Sequence, residues 1–200
     1  MVLGYHLILT YYGFWLPNDP RGSWSEFVGA FDLLRYGDAT KVTVRRSHAA
    51  DAHDRRRRLE AKEELQRPPV VLDGAQCWSV AKGFEYRLKK DGVPIYALAV
   101  LPEHAHLVVG RGERSIEQLR TRLKAAAGKR LRMDGRHPLA EEETVKLFAR
   151  GGWKVFIDDD RQMGAAVAYT ERNPEKEGKP RQKWGFVKPY VPRQRRRSAR

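Results

Sequence analysis

The first apolar segment of the chain runs from Gly4 to Tyr12. It is dense in aromatic, aliphatic and β-branched side chains (Tyr5, Leu7, Ile8, Leu9, Tyr11) and predicts a β-strand. It breaks at Gly13 and at Pro17-Asn18-Asp19-Pro20-Arg21-Gly22, a loop by its turn chemistry. Residues 24–72 hold no sustained apolar period. They carry Arg45, Arg46, the run Arg55 to Arg58 and then Pro68-Pro69, and predict a basic excursion from the core, partly helical around Ala49 to Gln66. From Asp73 to Leu88 the pattern turns helical. Asp73 and Gln76 fit a capping box, and Cys77, Ala81, Phe84 and Leu88 fall on one face. Asp91-Gly92 ends that helix. Two short apolar segments, Ile95 to Leu101 and His104 to Gly110, meet at Pro102-Glu103 and predict an antiparallel hairpin.

A second helix is predicted from Ser115 to Arg132, with Ser115 and Gln118 as its capping box and Ile116, Leu119, Leu123, Ala127 and Leu131 as its core stripe. Trp153 to Ile157 reads as a fourth strand. Asp158 to Asp160 then cap a third helix, expected to end before Pro174. The tail from Phe186 to Arg200 is basic, with no acidic residue, and is expected to stay loose until it meets an anion.

The order strand, helix, strand, strand, helix, strand, helix predicts an α+β, ferredoxin-like fold. Its elements are a split βαβ antiparallel sheet, helices on one face and a C-terminal helix beyond them. Residues 1–180 form one domain with 24–72 as a basic insertion, and 181–200 form a basic tail. The chain has 200 residues and a single cysteine, Cys77, which excludes an internal disulfide and a four-cysteine zinc site. No apolar run approaches the ~18 residues of a membrane span, and a cytoplasmic location is expected. A net charge of +14 points to a polyanionic partner whose binding weakens with salt. Nucleic acid is the first candidate. An anionic membrane is the second, but no helix carries the large exposed apolar face that it would need.

Candidate chemistry starts at His104 and His106. Strand alternation puts both imidazoles on one sheet face, expected to be open, while Ala105, Leu107 and Val109 face the core. Such a pair can ligate a divalent ion, and taken alone it also reads as two histidines on a half-solvated sheet. The third helix has the apolar stripe Met163, Ala166, Val167 and Thr170. Tyr169 falls about 100° from its middle, and Asn173 lies one turn further on the same side. Taken alone, Asn173 reads as a helix stop and Tyr169 as packing. Arg120, Lys124, Lys129 and Arg130 are candidate DNA-backbone contacts. Trp15, Arg21 and Trp24 in the first loop either stack on unpaired bases or pin the loop to the core. His6, His48, His53 and His137 have no partner spacing and are read as structural.

Leu101-Pro102-Glu103-His104-Ala105-His106-Leu107-Val108-Val109 resembles the HUH motif of the single-tyrosine transposases. Tyr169-Thr170-Glu171-Arg172-Asn173-Pro174, followed by Gly178, resembles their tyrosine-helix motif. The likeness is greatest to the insertion-sequence-200-like group and the REP-associated tyrosine transposases. It covers residues 4–12 and 73–178. Ala105 stands where the family usually has a bulky residue, Asn173 stands where it often has Gln, and residues 24–72 are longer than compact members need.

The resemblance implies that His104, His106 and Asn173 hold Mg²⁺ or Mn²⁺. It implies that Tyr169 attacks single-stranded or hairpin DNA to give a 5′-phosphotyrosine and a free 3′-OH, and that the reverse step joins strands. Both homodimers and monomers occur in the family. A rival reading is a ferredoxin-like module that binds RNA or single-stranded DNA without chemistry, which would carry stacking aromatics on its central strands. A zinc hydrolase lacks the expected His-Glu-x-x-His stretch.

Overall fold

The structure is a computed structural model that describes residues 1–20, 31–37, 52–140 and 146–192. Four strands, β1 (Gly4–Thr10), β2 (Ile95–Val100), β3 (His104–Gly110) and β4 (Trp153–Ile157), form one sheet in the order β2-β3-β1-β4, with every neighbouring pair antiparallel. β3 lies between β1 and β2, the split βαβ arrangement of a ferredoxin-like α+β fold. Helices α2 (Gly74–Lys90) and α3 (Ile116–Met133) make the two crossovers. Both open with the expected reciprocal capping boxes, Asp73 with Gln76 and Ser115 with Gln118.

The main core lies between these helices and one face of the sheet. Leu7, Leu9, Leu98, Val100, Ala105, Leu107 and Val109 pack against Val80, Phe84 and Leu88 of α2 and Leu119, Leu123 and Leu131 of α3. The helices approach closely at Gly83, where an added Cβ would lie 2.6 Å from the Ala127 Cα. A side chain there would push α3 away.

The other sheet face is covered as well. Helix α4 (Asp160–Lys176) packs on β2 and β3, and Met163 joins Ala97, Val108 and Ile157 in a second buried cluster. Two helices therefore lie on one face and α4 on the opposite one. The face predicted to be open is closed.

α4 also passes through Pro174 to Lys176 rather than ending before it. Proline in the last turn forfeits one backbone bond and leaves the rest of the helix intact. The stop comes at Gly178, whose φ of 67° permits a Schellman closure, with Lys179 N donating to Pro174 O (2.9 Å) and Gly178 N to Glu175 O (3.0 Å).

The insertion contributes a 3₁₀ turn (Phe31–Tyr36) and helix α1 (Arg55–Glu63), which share a small core of Leu33, Tyr36 and Ala61. The chain then rejoins the sheet through Val70 N to Tyr12 O and Leu72 N to Pro102 O, both 2.9 Å. The tail is not loose as far as Tyr190. Gln182 bonds both the N–H and the C=O of Val100, Trp184 Nε1 donates to Leu98 O, and Lys188 N donates to Ile95 O. These contacts occupy the outer edge of β2. Tyr190 donates to Asp160 at the start of α4. Residues 193–200 lie outside the described residues. No described helix is long and apolar enough to cross a membrane.

Candidate active site under helix α4

The β1–β3 register pairs Thr10 with His104, Ile8 with His106 and His6 with Val108, so all three histidines lie on the face that α4 covers. β2 faces them with Ala97 and Ala99, small residues that leave room for the helix. His104 and His106 are only 6% and 2% exposed, which corrects the expectation of half-solvated rings. The two rings meet edge to face with centroids 4.9 Å apart.

His6, read from the sequence as structural, belongs to the cluster. Its Nε2 lies 3.2 Å from His106 Nδ1, and the two rings stack at 5.4 Å and 27°. Alternation along β1 places His6 opposite the Leu7/Leu9 face. The pairing of β1 with β3, a contact across 100 residues, could not be seen from local pattern.

α4 brings the other two motif residues to the same place. The Tyr169 ring stands 5.7 Å from His106 and 5.8 Å from His6, edge to face with both. Asn173, one turn on and 6% exposed, lies close enough to the Tyr169 hydroxyl to favour its phenolate. Thr170 Oγ1 is 3.5 Å from His6 Nε2, and Lys176 Nζ sits 3.9 Å from the centre of the Tyr169 ring. Glu177 Oε1 is 3.9 Å from His104 Nε2. Lys176 and Glu177 are further residues that the sequence reading missed. They follow Pro174, where the helix was expected to have ended.

Burial sets the charges. It lowers the His6 pKa to about 4 and holds that of His106 well below the ordinary imidazole range, with the charges of His104, His6 and Lys176 adding to the second shift. Both rings are neutral at pH 7, the form in which imidazole ligates. Burial raises the Tyr169 pKa, opposed by Asn173, and lowers that of Lys176.

A stability prediction follows from His6. In the unfolded chain it takes up a proton near 6.5 and in the folded protein only near 4, so between these values the unfolded state binds more protons. Unfolding free energy should therefore fall by about 2 kcal/mol between pH 7 and pH 5 from this group, with His106 acting in the same direction. Urea titrations at the two pH values check it. The difference should shrink in His6→Leu, and equal stability in the wild type would rule out neutral buried histidines.

The candidate DNA contacts are placed differently. Trp15 is buried at the edge of the main core with its ring 6.0 Å from His104, on a backbone held at φ 59°. It pins the first loop beside the site and has no open ring face for a base. Arg21 lies outside the described residues, as does Trp24. The basic residues of α3 belong to the layer across the sheet from the histidines. Arg120 donates to Gly152 O (3.2 Å), and Lys124 donates to Ala149 O (2.6 Å) and Gly151 O, so both hold the segment before β4. Burial lowers the Lys124 pKa to about 7. Arg130 pairs with Asp134 at 2.9 Å and lies over the Trp78 ring. Lys129 is exposed.

Among the described residues no group of three His, Cys, Asp or Glu side chains is arranged to hold a metal ion. His104 and His106 offer two nitrogen donors on one face, and the Asn173 carboxamide oxygen adds a neutral donor of the kind a divalent ion accepts. His6 faces Nδ1 of His106, so a ligand to His106 would have to use Nε2. The residues present therefore fit such an ion once a carboxamide completes the set.

No family model matches the sequence, and no curated protein matches it. Solved structures similar to the chain include two transposases. One is a REP-associated tyrosine transposase bound to a REP hairpin, 19% identical, with a TM-score of 0.43 over 56% of this chain and 64% of that one. The chain thus spans less than two thirds of that protein. The other is a provisionally named transposase of Deinococcus radiodurans R1, 13% identical, with a TM-score of 0.41 over 91% of this chain and 94% of that one. At that level of likeness the chemistry of the site rests on its own residues.

Proposed function

We propose that the protein is a single-tyrosine HUH transposase, a metal-dependent endonuclease and strand transferase of single-stranded or hairpin DNA. The observation that carries this reading is the Tyr169 ring, 5.7 Å from the buried His106, with Asn173 one turn further along the same helix. Two motifs more than 60 residues apart in sequence thus meet in one cluster.

His104, His106 and Asn173 would hold Mg²⁺ or Mn²⁺, which when bound polarises the scissile phosphate. Tyr169 supplies the nucleophile. Burial disfavours its phenolate, while the Asn173 N–H and the Lys176 ammonium over the ring favour it. Attack forms an Oη–phosphorus bond and breaks the bond from phosphorus to the 3′ oxygen. The phenolic proton is lost and the leaving oxygen is protonated to a 3′-OH. The same bond count allows a different 3′-OH to reverse the step and join strands without ATP. α4 fixes the phenol against the histidine face, and orientation of this kind is worth several kcal/mol of barrier.

The rival reading, a ferredoxin-like module that binds RNA or single-stranded DNA across its sheet, is disfavoured because α4 covers the face that such a ligand would need. Incubation with labelled single-stranded pools that include hairpins, in Mn²⁺, should give a protein–DNA adduct on a denaturing gel, and EDTA should prevent it. An adduct that forms equally in EDTA, or cleavage without one, would overturn the proposal.

A further inference from the structure

We infer that His6 is a positioning residue for this site, accepting the Nδ1 proton of His106 and so fixing the tautomer in which His106 keeps its Nε2 lone pair for a ligand. The inference rests on the function proposed above and adds a residue outside both motifs. A neutral imidazole has one N–H and one lone pair. His6 Nε2 and His106 Nδ1 lie 3.2 Å apart and share one proton. If His6 donated it, His106 would carry its own proton on Nε2 and could not ligate through that nitrogen. If His106 donates it, Nε2 is free. Only the second assignment is compatible with His106 as a donor to an ion, and an outer partner on the far nitrogen is how ligating histidines are commonly held.

The surroundings hold His6 in place for this. It is the diagonal cross-strand neighbour of His106, since its direct partner is Val108. Trp153 lies on another side at 5.7 Å, and Tyr169 stands edge-on at 5.8 Å. Thr170 Oγ1 approaches the same Nε2 at 3.5 Å. His6 therefore ties the histidine strand to the helix that carries the nucleophile. Both rings are buried, so water does not compete for the shared proton.

The test begins with the metal-free wild type labelled with ¹⁵N-histidine. Long-range ¹H–¹⁵N spectra should show His106 in the Nδ1–H form, and an Nε2–H form would overturn the inference. Mn²⁺ affinity, read by electron paramagnetic resonance, should fall roughly 10–100-fold in His6→Leu and recover in part in His6→Gln, whose amide oxygen can accept the proton. Wild-type affinity in a folded His6→Leu would overturn the inference. Should His6→Leu fail to fold, the wild-type tautomer and the His6→Gln affinity decide. Should the wild type bind no Mn²⁺, the proposed function fails, and the tautomer in the metal-free protein still decides the role of His6.

Discussion

Replacing Tyr169 by phenylalanine is expected to reduce both DNA cleavage and covalent adduct to background while single-stranded DNA binding persists. The substitution removes one oxygen and keeps the ring that packs against His6 and His106. Loss of the hydroxyl's interaction with Asn173 should cost no more than about 1 kcal/mol of stability, too little to unfold an ordinary domain. The chain has eight tyrosines, so specificity is part of the prediction. Tyr11 is fully buried on the opposite sheet face beside Phe148, and burial holds its pKa well above the ordinary value. Tyr190 is bound to Asp160 at the far end of α4. A denaturing gel and a filter-binding assay on the same protein separate chemistry from affinity. Cleavage by Tyr169→Phe in Mg²⁺ or Mn²⁺ would remove Tyr169 as nucleophile.

The second large effect concerns the motif histidines. His104→Ala and His106→Ala should each abolish adduct formation, and the His106 variant should also lose stability. Rings on an open face could be truncated at little cost, but His106 is 2% exposed, packed by His6, His104 and Tyr169 and bonded to His6. Truncation leaves a cavity and deprives His6 Nε2 of its partner, a loss of about 2–4 kcal/mol. His106→Gln keeps more of the volume and should retain more of the stability with no more activity. Thermal melts of the two variants beside the adduct assay check this. Adduct formation at the wild-type rate by His106→Gln would place the chemistry elsewhere.

Much of this arrangement was legible in the sequence because its signals are local. Capping boxes start α2 and α3, the Pro102-Glu103 break sets the hairpin, alternation pairs His104 with His106, and helical spacing pairs Tyr169 with Asn173. What was not legible depends on packing between distant segments. The apolar stripe of α4 shows that the helix is buried but not which sheet face receives it. His6 acquires its partner only through strand pairing. Arg120 and Lys124 look like a free basic face until the segment at 149–152 folds beneath them. Pro174 was read as a stop because proline breaks helix interiors, whereas here it lies in the last turn, with Gly178 just beyond to close the helix. Trp15 adopts a left-handed backbone that a tryptophan would not be assigned from sequence, and it holds that conformation by burying its ring beside His104.

The most direct test is to map the covalent adduct. The wild-type protein, reacted with a single-stranded hairpin substrate in Mn²⁺ and digested with trypsin and nuclease, should yield the peptide Gln162–Arg172 carrying a nucleotide on Tyr169 through its 5′ phosphate. A nucleotide on any other tyrosine, or attachment through a 3′ phosphate, would contradict the mechanism.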